Sequence, residues 1–275
     1  MTTPTQKTAL ITGASSGIGL EFAKIFADKG WNLVLVSRDP EQLQKVTTAL
    51  LALFPITIHT IPCDLTQPDA ASSILEKTNE LNLTIDALIN NAGIGHFGTF
   101  EETPEEKNAE MIMLNNHALV ALTNAYLPQL KSKKRAYILN VASVAGFGPG
   151  PSMAVYFATK AFVVSFSQAL AYELKKTSIT VTTLCPGATE TNFAKRADAL
   201  LTELFQGNTL TAREVAHTGF EAMMKGRVLV IVGFKNKLLI FLSRFLPRTW
   251  LTSITTSMMK TRTKMKTKQK TKMSS

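Results

Sequence analysis

The sequence has few cysteines and no long hydrophobic run. Cys63 and Cys185 lie far apart and form no CxxC or Cys/His pattern, which argues against a disulfide framework or a zinc site and favours a reducing compartment. No uninterrupted apolar run approaches the roughly 20 residues of a membrane-spanning helix, and the N-terminus lacks the apolar region of a signal peptide. We therefore expect a cytoplasmic protein without a bound metal.

Acidic residues are absent from the C-terminal part of the chain. The last one is Glu221, whereas eleven of the 30 Lys and Arg lie from Lys235 to Lys272. Residues 1–234 thus hold 19 basic and 20 acidic side chains, so the excess behind the net charge of +10 resides in the C-terminal segment. A segment of this charge favours anionic partners.

Short apolar runs rich in strand-forming residues alternate with longer runs at helical spacing. TALITGA (8–14) is typical of a strand, and Ile18, Phe22, Ile25 and Phe26 follow it at helical spacing. Seven such strand-like runs, nearly continuous in apolar character, predict a parallel sheet with helices on both faces. They lie at 8–14, 31–38, 56–64, 87–90, 136–143, 178–187 and 227–233.

Two stretches carry the Thr-x-x-Glu pattern of a helix capping box, Thr103 with Glu106 and Thr211 with Glu214. Pro104 also suits the first turn of a helix. We therefore expect one helix to begin directly after Thr103 and another directly after Thr211.

The chain divides by composition into three parts. No linker rich in proline or glycine precedes residue 234, so we expect one dinucleotide-binding catalytic domain over residues 1–233. The extension 234–259 is apolar with basic residues interspersed. We expect residues 260–275, which are basic at almost every second position, to be disordered.

The turn TGASSGIG (12–19) joins the first predicted strand to the first predicted helix. Gly13, Gly17 and Gly19 allow the backbone to approach a ligand closely, and the following helix N-terminus offers free N–H groups to a phosphate. The usual dinucleotide fingerprint is GxGxxG, whereas the spacing here is GxxxGxG. Its place at a first strand–helix junction favours dinucleotide binding over a plain turn.

The end of the second predicted strand bears on the choice of dinucleotide. An acidic residue at this place binds the adenosine ribose of NAD, but the chain has Ser37 and Arg38 there. A guanidinium suits a 2′-phosphate. Arg38 therefore favours NADP(H) over NAD(H), and the alternative is a solvated arginine at a strand end.

Further motifs follow the glycine turn in order: NNAG at 90–93, Asn115, Ser143, the pair Tyr156 and Lys160, and PG at 186–187. Together this set resembles the short-chain dehydrogenase/reductase family over roughly residues 7 to 233. The resemblance implies a single Rossmann-type, doubly wound α/β domain whose parallel seven-stranded sheet has the order 3-2-1-4-5-6-7. It also implies hydride transfer with a nicotinamide cofactor.

The resemblance implies which residues bind that cofactor. Ser15 and Ser16 stand where some NADP-binding members have a basic residue, so the preference for NADP(H) rests on Arg38. Thr189 stands where valine or isoleucine is more common. The implied set covers the pyrophosphate turn, the adenosine contacts, the catalytic pair and the nicotinamide-side loop: Gly13, Ser15, Ser16, Gly17, Ile18, Gly19, Arg38, Asp64, Leu65, Asn91, Ala92, Gly93, Tyr156, Lys160, Pro186, Gly187, Thr189 and Thr191.

The implied catalytic residues are Asn115, Ser143, Tyr156 and Lys160. In reduction, Tyr156 would donate a proton to the carbonyl oxygen while Ser143 hydrogen-bonds the same oxygen. Deprotonating a tyrosine at pH 7 costs roughly 4 kcal/mol, and a nearby ammonium would lower that cost. Lys160 would also hold the ribose hydroxyls, and Asn115 would order a water that links Lys160 to bulk proton supply.

Apolar residues near the predicted substrate side favour a lipophilic carbonyl or alcohol as the small-molecule substrate. The alternative is that the leucines among them only pack a lid onto the body. These residues are Phe147, Phe193, Leu200, Leu201, Leu204 and Phe205.

Two interpretations of residues 234–251 remain open. The segment lies in a membrane interface with its basic residues toward anionic lipid, as part of a peripheral contact through residues 235–272, or it packs as a helix on the body or on a partner subunit. No motif that reads nucleic-acid bases is present, and the resemblance implies a homodimer or homotetramer.

Taken together, the residues and the resemblance predict an NADP(H)-dependent oxidoreductase that interconverts a carbonyl and a secondary alcohol. The alternative is a non-catalytic NADP-binding or membrane-associated scaffold protein of the same fold. The joint occurrence of Tyr156 and Lys160 favours the enzyme, because a binding module has no need of the pair.

Overall fold

The computed structural model describes residues 6–197 and 209–259. Within these ranges the strands are β1 (Thr8–Thr12), β2 (Asn32–Ser37), β3 (Ile58–Pro62), β4 (Ala87–Asn90), β5 (Ala136–Val141), β6 (Ile179–Cys185), β7 (Thr189–Glu190), β8 (Leu210–Thr211) and β9 (Leu229–Ile231). The helices are α1 (Gly17–Asp28), α2 (Pro40–Leu51), α3 (Ala70–Glu80), α4 (Glu105–Ile112), α5 (Ala118–Lys131), α6 (Ala154–Glu173), α7 (Phe193–Arg196), α8 (Ala212–Met224), α9 (Phe234–Ser243) and α10 (Arg248–Met258).

Seven strands form one sheet in the order β3-β2-β1-β4-β5-β6-β9, and every neighbouring pair is parallel. This confirms the predicted doubly wound α/β fold and the predicted strand order, with β9 as the seventh strand of the sheet. The short strands β7 and β8 pair in a separate two-stranded sheet that the sequence did not predict. They are only two residues long and carry no apolar run.

The inner strands of the seven-stranded sheet are largely apolar because helices cover both faces of the sheet. Ala9 and Ile11 of β1 belong to one buried cluster together with Phe26 of α1. Leu10, which points to the opposite face, belongs to a second cluster with Tyr126 of α5. Alternate residues of a strand face opposite sides, so a strand buried on both sides needs apolar residues at every position.

One of the two predicted capping boxes is formed. The Thr211 hydroxyl accepts a hydrogen bond from the Glu214 N–H at 3.2 Å, and the Glu214 carboxylate accepts one from the Thr211 N–H at 2.9 Å. The prediction for Thr103 was wrong: helix α4 begins at Glu105 after Pro104, and no side chain caps it. The Thr103 hydroxyl instead donates to the carbonyl oxygen of Thr99 at 2.7 Å.

The C-terminal extension folds as α9 and α10, and it packs against the body of the protein. The boundary at residue 233 stays a prediction, and residues 260–275 lie outside the described ranges. In the part of the chain that the structure describes, one helix, α6, is long and apolar enough to cross a membrane by length and composition alone. It holds seven buried residues, among them Lys160, and packs on the sheet, as a core helix does.

Candidate active site

A cavity of about 1110 Å³ opens at the carboxyl ends of the parallel strands. Its walls come from residues directly after these strands, such as Gly13 after β1, Asn91 after β4, Ser143 near the end of β5 and Pro186 after β6. The strand order reverses between β1 and β4, and open α/β sheets bind their ligands at this kind of place. The fold therefore concentrates the predicted site residues in one cavity.

The glycine turn has the backbone shape that its sequence predicts. Gly13 and Gly17 have φ angles of +64° and +57°, which side chains other than glycine adopt at a cost. A Cβ at Gly19 would overlap the carbonyl oxygen of Gly13. The turn leads into the N-terminus of α1, so its N–H groups face a position where a phosphate would be stabilised.

Thr12 ties the glycine turn to the loop after β4. Its buried hydroxyl accepts hydrogen bonds from the N–H groups of Asn91 and Ala92, both at 3.0 Å. The Asn91 amide in turn donates to the Thr12 carbonyl oxygen at 2.8 Å. The two loops that face each other across the predicted adenosine site are therefore held at a fixed separation.

Arg38 lies at the rim of the cavity near two hydroxyl groups. The hydroxyls of Ser15 and Ser37 are 2.9 Å apart, and both residues line the cavity with Arg38. The Arg38 guanidinium also donates to a carboxylate oxygen of Glu110 in α4 at 3.3 Å. A cation and two hydroxyls form a suitable environment for a phosphate, but Glu110 competes for the cation.

Asp64, the predicted adenine contact, is held by its own turn. Its carboxylate accepts hydrogen bonds from the N–H and the hydroxyl of Thr66, at 3.0 and 2.9 Å. Partial burial alone would raise the pKa of Asp64, but these hydrogen bonds and the charge of Arg38 together lower it. Cys63 and Leu65 on either side of it line the cavity.

Tyr156 and Lys160 lie one turn apart on α6 and meet Ser143 at the end of β5. The Lys160 ammonium donates to the carbonyl oxygen of Val141, the last residue of β5, at 3.0 Å. It stands 5.9 Å from the centre of the Tyr156 ring. Ser143 caps a short 3-10 turn by accepting from the Ala145 N–H at 3.1 Å. The three side chains all line the cavity.

Burial shifts the pKa values of this pair in opposite directions. Burial raises the pKa of Tyr156 to about 12, against a smaller lowering by its hydrogen bond with Ser143. Burial lowers the pKa of Lys160 to about 8, against a smaller opposing effect of Cys185. The sequence led us to expect an easier deprotonation of Tyr156 beside the ammonium, whereas desolvation dominates in this structure. At pH 7 the phenol is protonated and the ammonium is charged.

Asn115 is placed by an irregular turn rather than by a regular helix. It lies in a π-helical segment, Met113–His117, between α4 and α5. Its amide accepts from the N–H of Ile94 and donates to the carbonyl oxygen of Ile94, both at 2.9 Å. A Cβ on Gly93 would lie 3.2 Å from the Asn115 amide oxygen and 3.4 Å from the Lys160 ammonium. The π turn thus brings Asn115 close to Lys160 from an element distant in sequence.

The C-terminal extension packs against the loop after β6. The Thr189 hydroxyl donates to the Gly187 carbonyl oxygen at 2.9 Å. A Cβ on Gly187 would collide with the side chain of Asn236 in α9, whose amide donates to the Val232 carbonyl oxygen at 2.7 Å. The predicted nicotinamide-side loop therefore packs directly against a helix that the sequence left unassigned.

The apolar side of the cavity differs in part from the predicted set. The Phe193 ring is 5.3 Å from the Tyr156 ring, and both residues line the cavity. Phe147 was wrongly placed there, because it packs against a separate buried cluster that includes Val163 and Cys185. Leu200, Leu201, Leu204 and Phe205 lie outside the described residues.

Most of the predicted site residues line the cavity, and three do not. Gly19, Asp64 and Asn115 are not part of its walls, although each is next in sequence to a residue that is. The sequence missed several residues that the structure adds to the walls, since they come from the first turn of α6, from the residue before it or from the C-terminal extension: Met153, Phe157, Asn236, Ile240, Thr255 and Met259. Helical spacing in the sequence predicts which residues share a face of a helix, but it does not predict what that face contacts.

Comparison with known proteins gives a consistent picture. A family model described as short chain dehydrogenase matches residues 7–201. A very-long-chain 3-oxoacyl-CoA reductase of Pyrenophora tritici-repentis is 40% identical over 172 residues, which are 61% of this chain and 50% of that protein. The chain thus spans about half the length of that relative.

Solved structures extend the similarity to the whole fold. A short-chain dehydrogenase from Sphingobium yanoikuyae in complex with NADPH has a TM-score of 0.78 and 32% identity, covering 87% of this chain and 93% of its own. A short chain dehydrogenase/reductase from Burkholderia phymatum in complex with NAD has a TM-score of 0.80 and 27% identity, with the same two coverages. The similar proteins therefore include complexes with both dinucleotides.

The contacts of Thr12 generate a test of how the two cofactor loops are held. Replacing Thr12 by Val keeps the shape but leaves two N–H groups without an acceptor, so we expect the free energy of unfolding to fall by about 1–3 kcal/mol. Thr12→Ser, which keeps the hydroxyl, should lose less. Urea denaturation of both variants measures the difference, and equal losses would show that the hydroxyl does not hold the loops.

Proposed function

The chain belongs to the short-chain dehydrogenase family, and from that premise we propose that it is an NADP(H)-dependent oxidoreductase that interconverts a carbonyl and a secondary alcohol on a lipophilic substrate. The family supports the oxidoreductase class. The observation that carries the proposal is the meeting of Ser143, Tyr156 and Lys160 on one wall of the cavity. A phenol, a hydroxyl and an ammonium at one place form a proton-transfer group.

The residues present fit a nicotinamide cofactor. The close approach between Gly13 and Gly19 leaves no room for a side chain at either position, and the cavity continues from there to Tyr156. Gly13, Ser15 and Gly17 would hold the pyrophosphate, and Lys160 would hold the ribose hydroxyls. When bound, the cofactor supplies or accepts the hydride.

In reduction, the side chains transfer a proton and stabilise the negative charge that develops. Tyr156, with its pKa raised to about 12, keeps its proton until the carbonyl oxygen gains electron density, and then donates it. The Ser143 hydroxyl hydrogen-bonds the same oxygen as its negative charge develops. Lys160 stays charged and stabilises the tyrosinate that remains. Asn115, which lies near the Lys160 ammonium, orders the path by which Tyr156 regains a proton.

Arg38 supports the preference for NADP(H). With Ser15 and Ser37 it forms the part of the cavity rim where a 2′-phosphate would bind. The carboxylate of the next residue, Asp39, does not line the cavity and caps α2 by accepting from the Gln42 N–H. The Glu110 carboxylate contacts the Arg38 guanidinium from α4. We propose that the 2′-phosphate displaces Glu110 from the guanidinium.

The walls beyond Tyr156 favour a substrate with an apolar body. Met153, Phe157, Phe193 and Met259 surround the tyrosine without a fixed charge among them. The Pyrenophora relative acts, by its name, on a very-long-chain 3-oxoacyl thioester. We propose a ketone or secondary alcohol on a lipophilic chain as the substrate class here.

The setting of the enzyme is also a proposal. We expect a homodimer or homotetramer in the cytoplasm, since members of the family are commonly of this kind, with a peripheral contact to an anionic membrane. The non-catalytic scaffold stays as the competing function, and the next experiment separates the two.

Replacing Tyr156 by Phe removes the proposed acid and leaves the ring in place. We expect the rate of carbonyl reduction to fall by about 10²–10⁴-fold, while binding of the reduced cofactor persists. Tyr172→Phe is the matched control, because Tyr172 lies on the same helix and is 70% exposed. Turnover of a ketone panel is followed by absorbance of the reduced cofactor. Equal turnover in Tyr156→Phe and wild type would remove Tyr156 as the acid, whereas no turnover of any ketone by the wild type would support the scaffold.

The pKa values predict the pH dependence of reduction. Below about pH 8 Lys160 is charged and Tyr156 is protonated, so both are in the required form. As pH rises through about 8, Lys160 loses its charge first, while Tyr156 keeps its proton. We expect kcat/KM for reduction to be level near neutral pH and to fall above about pH 8. A profile that stays level to about pH 10 would contradict this role of Lys160.

The contact between Arg38 and Glu110 predicts opposite effects of two substitutions. Arg38→Ala should weaken NADPH binding by about 10–100-fold and leave NADH binding nearly unchanged, as expected for a charged hydrogen bond. Glu110→Gln should strengthen NADPH binding, because it frees the guanidinium, whereas Glu106→Gln on the same helix should have no effect. Calorimetric titration with both dinucleotides measures this. An unchanged preference in Arg38→Ala would remove the 2′-phosphate contact.

A further inference from the structure

Helices α9 and α10 turn one side toward the cavity. Asn236 and Ile240, one turn apart on α9, line its wall, as do Thr255 on α10 and Met259 directly after it. The Thr255 hydroxyl donates to the carbonyl oxygen of Pro149 at 2.7 Å. Met259 is buried in a cluster with Met153 and Phe157. These inward contacts fix the orientation of both helices on the body.

The other side of the two helices is apolar and exposed. Of the sixteen large hydrophobic side chains that are exposed within the described residues, eight lie between 234 and 254. Isolated exposed hydrophobic residues are ordinary, but a contiguous set of this size marks an interaction surface. We name this set the outer stripe: Phe234, Leu238, Leu239, Phe241, Leu242, Phe245, Trp250 and Ile254.

The basic residues flank the outer stripe on α9. At about 100° per residue, Leu238, Phe241, Leu242 and the following Phe245 project from one side of the helix, opposite Asn236 and Ile240. Lys237 and Arg244 are seven residues apart and therefore border the stripe on the same side, while Lys235 borders it on the other. All three cations are exposed. The arrangement is that of an interfacial amphipathic helix.

The charge of the surface selects its occupant. No acidic residue follows Glu221 in the sequence, so α9 and α10 carry cations and no carboxylate of their own. A second copy docked by the same surface would place like charges against each other, which disfavours self-association. An anionic bilayer offers both an apolar interior and a negative surface.

We propose that the outer stripe of α9 and α10 docks onto the surface of an anionic lipid bilayer. Phe241, Leu242, Phe245 and Trp250 enter the boundary between headgroups and acyl chains, and Lys235, Lys237 and Arg244 contact the anionic headgroups. The two helices span 10 and 11 residues, too few to cross a bilayer of about 30 Å. The protein therefore lies on the membrane rather than in it.

The docking surface adjoins the cavity. Phe234 and Leu239 are exposed and also belong to the cavity lining, so they stand at its rim. Docking places this rim against the bilayer, and a lipophilic substrate then enters from the lipid without crossing water. This link to the substrate rests on the proposed function, whereas the docking does not.

Flotation with lipid vesicles tests the docking on the full chain without cofactor or substrate. We expect binding to vesicles of phosphatidylcholine with phosphatidylglycerol. Binding to vesicles of phosphatidylcholine alone should be weaker by about tenfold or more. The emission of Trp250, 63% exposed, should shift to the blue on binding, while that of Trp31, 6% exposed, should not change. Trp250→Phe should abolish the shift. Because no turnover is measured, a failure of the proposed activity leaves this result unaffected.

Matched variants separate the outer stripe from general stickiness and from the basic tail. Phe241→Ser with Phe245→Ser should reduce vesicle binding by at least about tenfold. Leu53→Ser with Phe100→Ser, which alters residues 73% and 70% exposed elsewhere, should leave it unchanged. Lys237→Glu with Arg244→Glu should remove the preference for anionic lipid, whereas Lys45→Glu with Lys131→Glu should not.

Three outcomes would overturn the proposal. Vesicle binding that survives Phe241→Ser with Phe245→Ser would place the contact elsewhere, for example in the basic residues after 259. An absent shift of Trp250 emission on bound protein would exclude the outer stripe from the lipid. The protein could also form a dimer in lipid-free solution. If the double substitution Phe241→Ser with Phe245→Ser dissociated that dimer, a second copy would cover the outer stripe.

Discussion

The burial of one ammonium group governs the rest of the site. Lys160 is 5% exposed, and its ammonium donates a hydrogen bond to the carbonyl oxygen of Val141 at the end of β5. A backbone carbonyl neutralises a cation only in part, so desolvation lowers the pKa of Lys160 to about 8. The same burial keeps the neighbouring phenol of Tyr156 protonated. A cation that is poorly compensated in the resting protein favours the binding of groups that carry negative charge or oxygen atoms.

The C-terminal extension contributes both to the wall of the cavity and to the exposed apolar surface. Its inner side completes the cavity through Asn236, Ile240 and Met259, while its outer side leaves Phe241 and Trp250 in water. An apolar helix side is normally buried against another element, and no element of the described fold covers this outer side. The extension therefore couples the wall of the site to whatever surface covers the outer stripe, and the basic residues at its border favour anionic lipid.

Local patterns in the sequence were reliable only where no competing contact existed. The Thr-x-x-Glu pattern forms a capping box at Thr211, yet the same pattern at Thr103 does not, because the Thr103 hydroxyl finds the Thr99 carbonyl oxygen in the preceding turn. Phe147 lies beside the loop that holds Ser143, but its ring packs into a separate cluster. In both cases the residue type fits the predicted role, but tertiary packing determines which group the side chain contacts.

The sequence by itself determined a parallel sheet and the chemistry gathered at its edge, while the strand order came from the family resemblance that its motifs carry. Apolar strand-like runs that alternate with helical runs predict such a sheet, and glycines with a tyrosine and lysine one helical turn apart are recognisable because their spacing is local. Only the tertiary structure decided the neighbours of these groups. A π turn places Asn115 close to Lys160, Glu110 contacts Arg38 across 72 residues, and α9 covers Gly187. Such contacts depend on how separate elements pack, and the free energy of packing leaves no periodic trace in the chain.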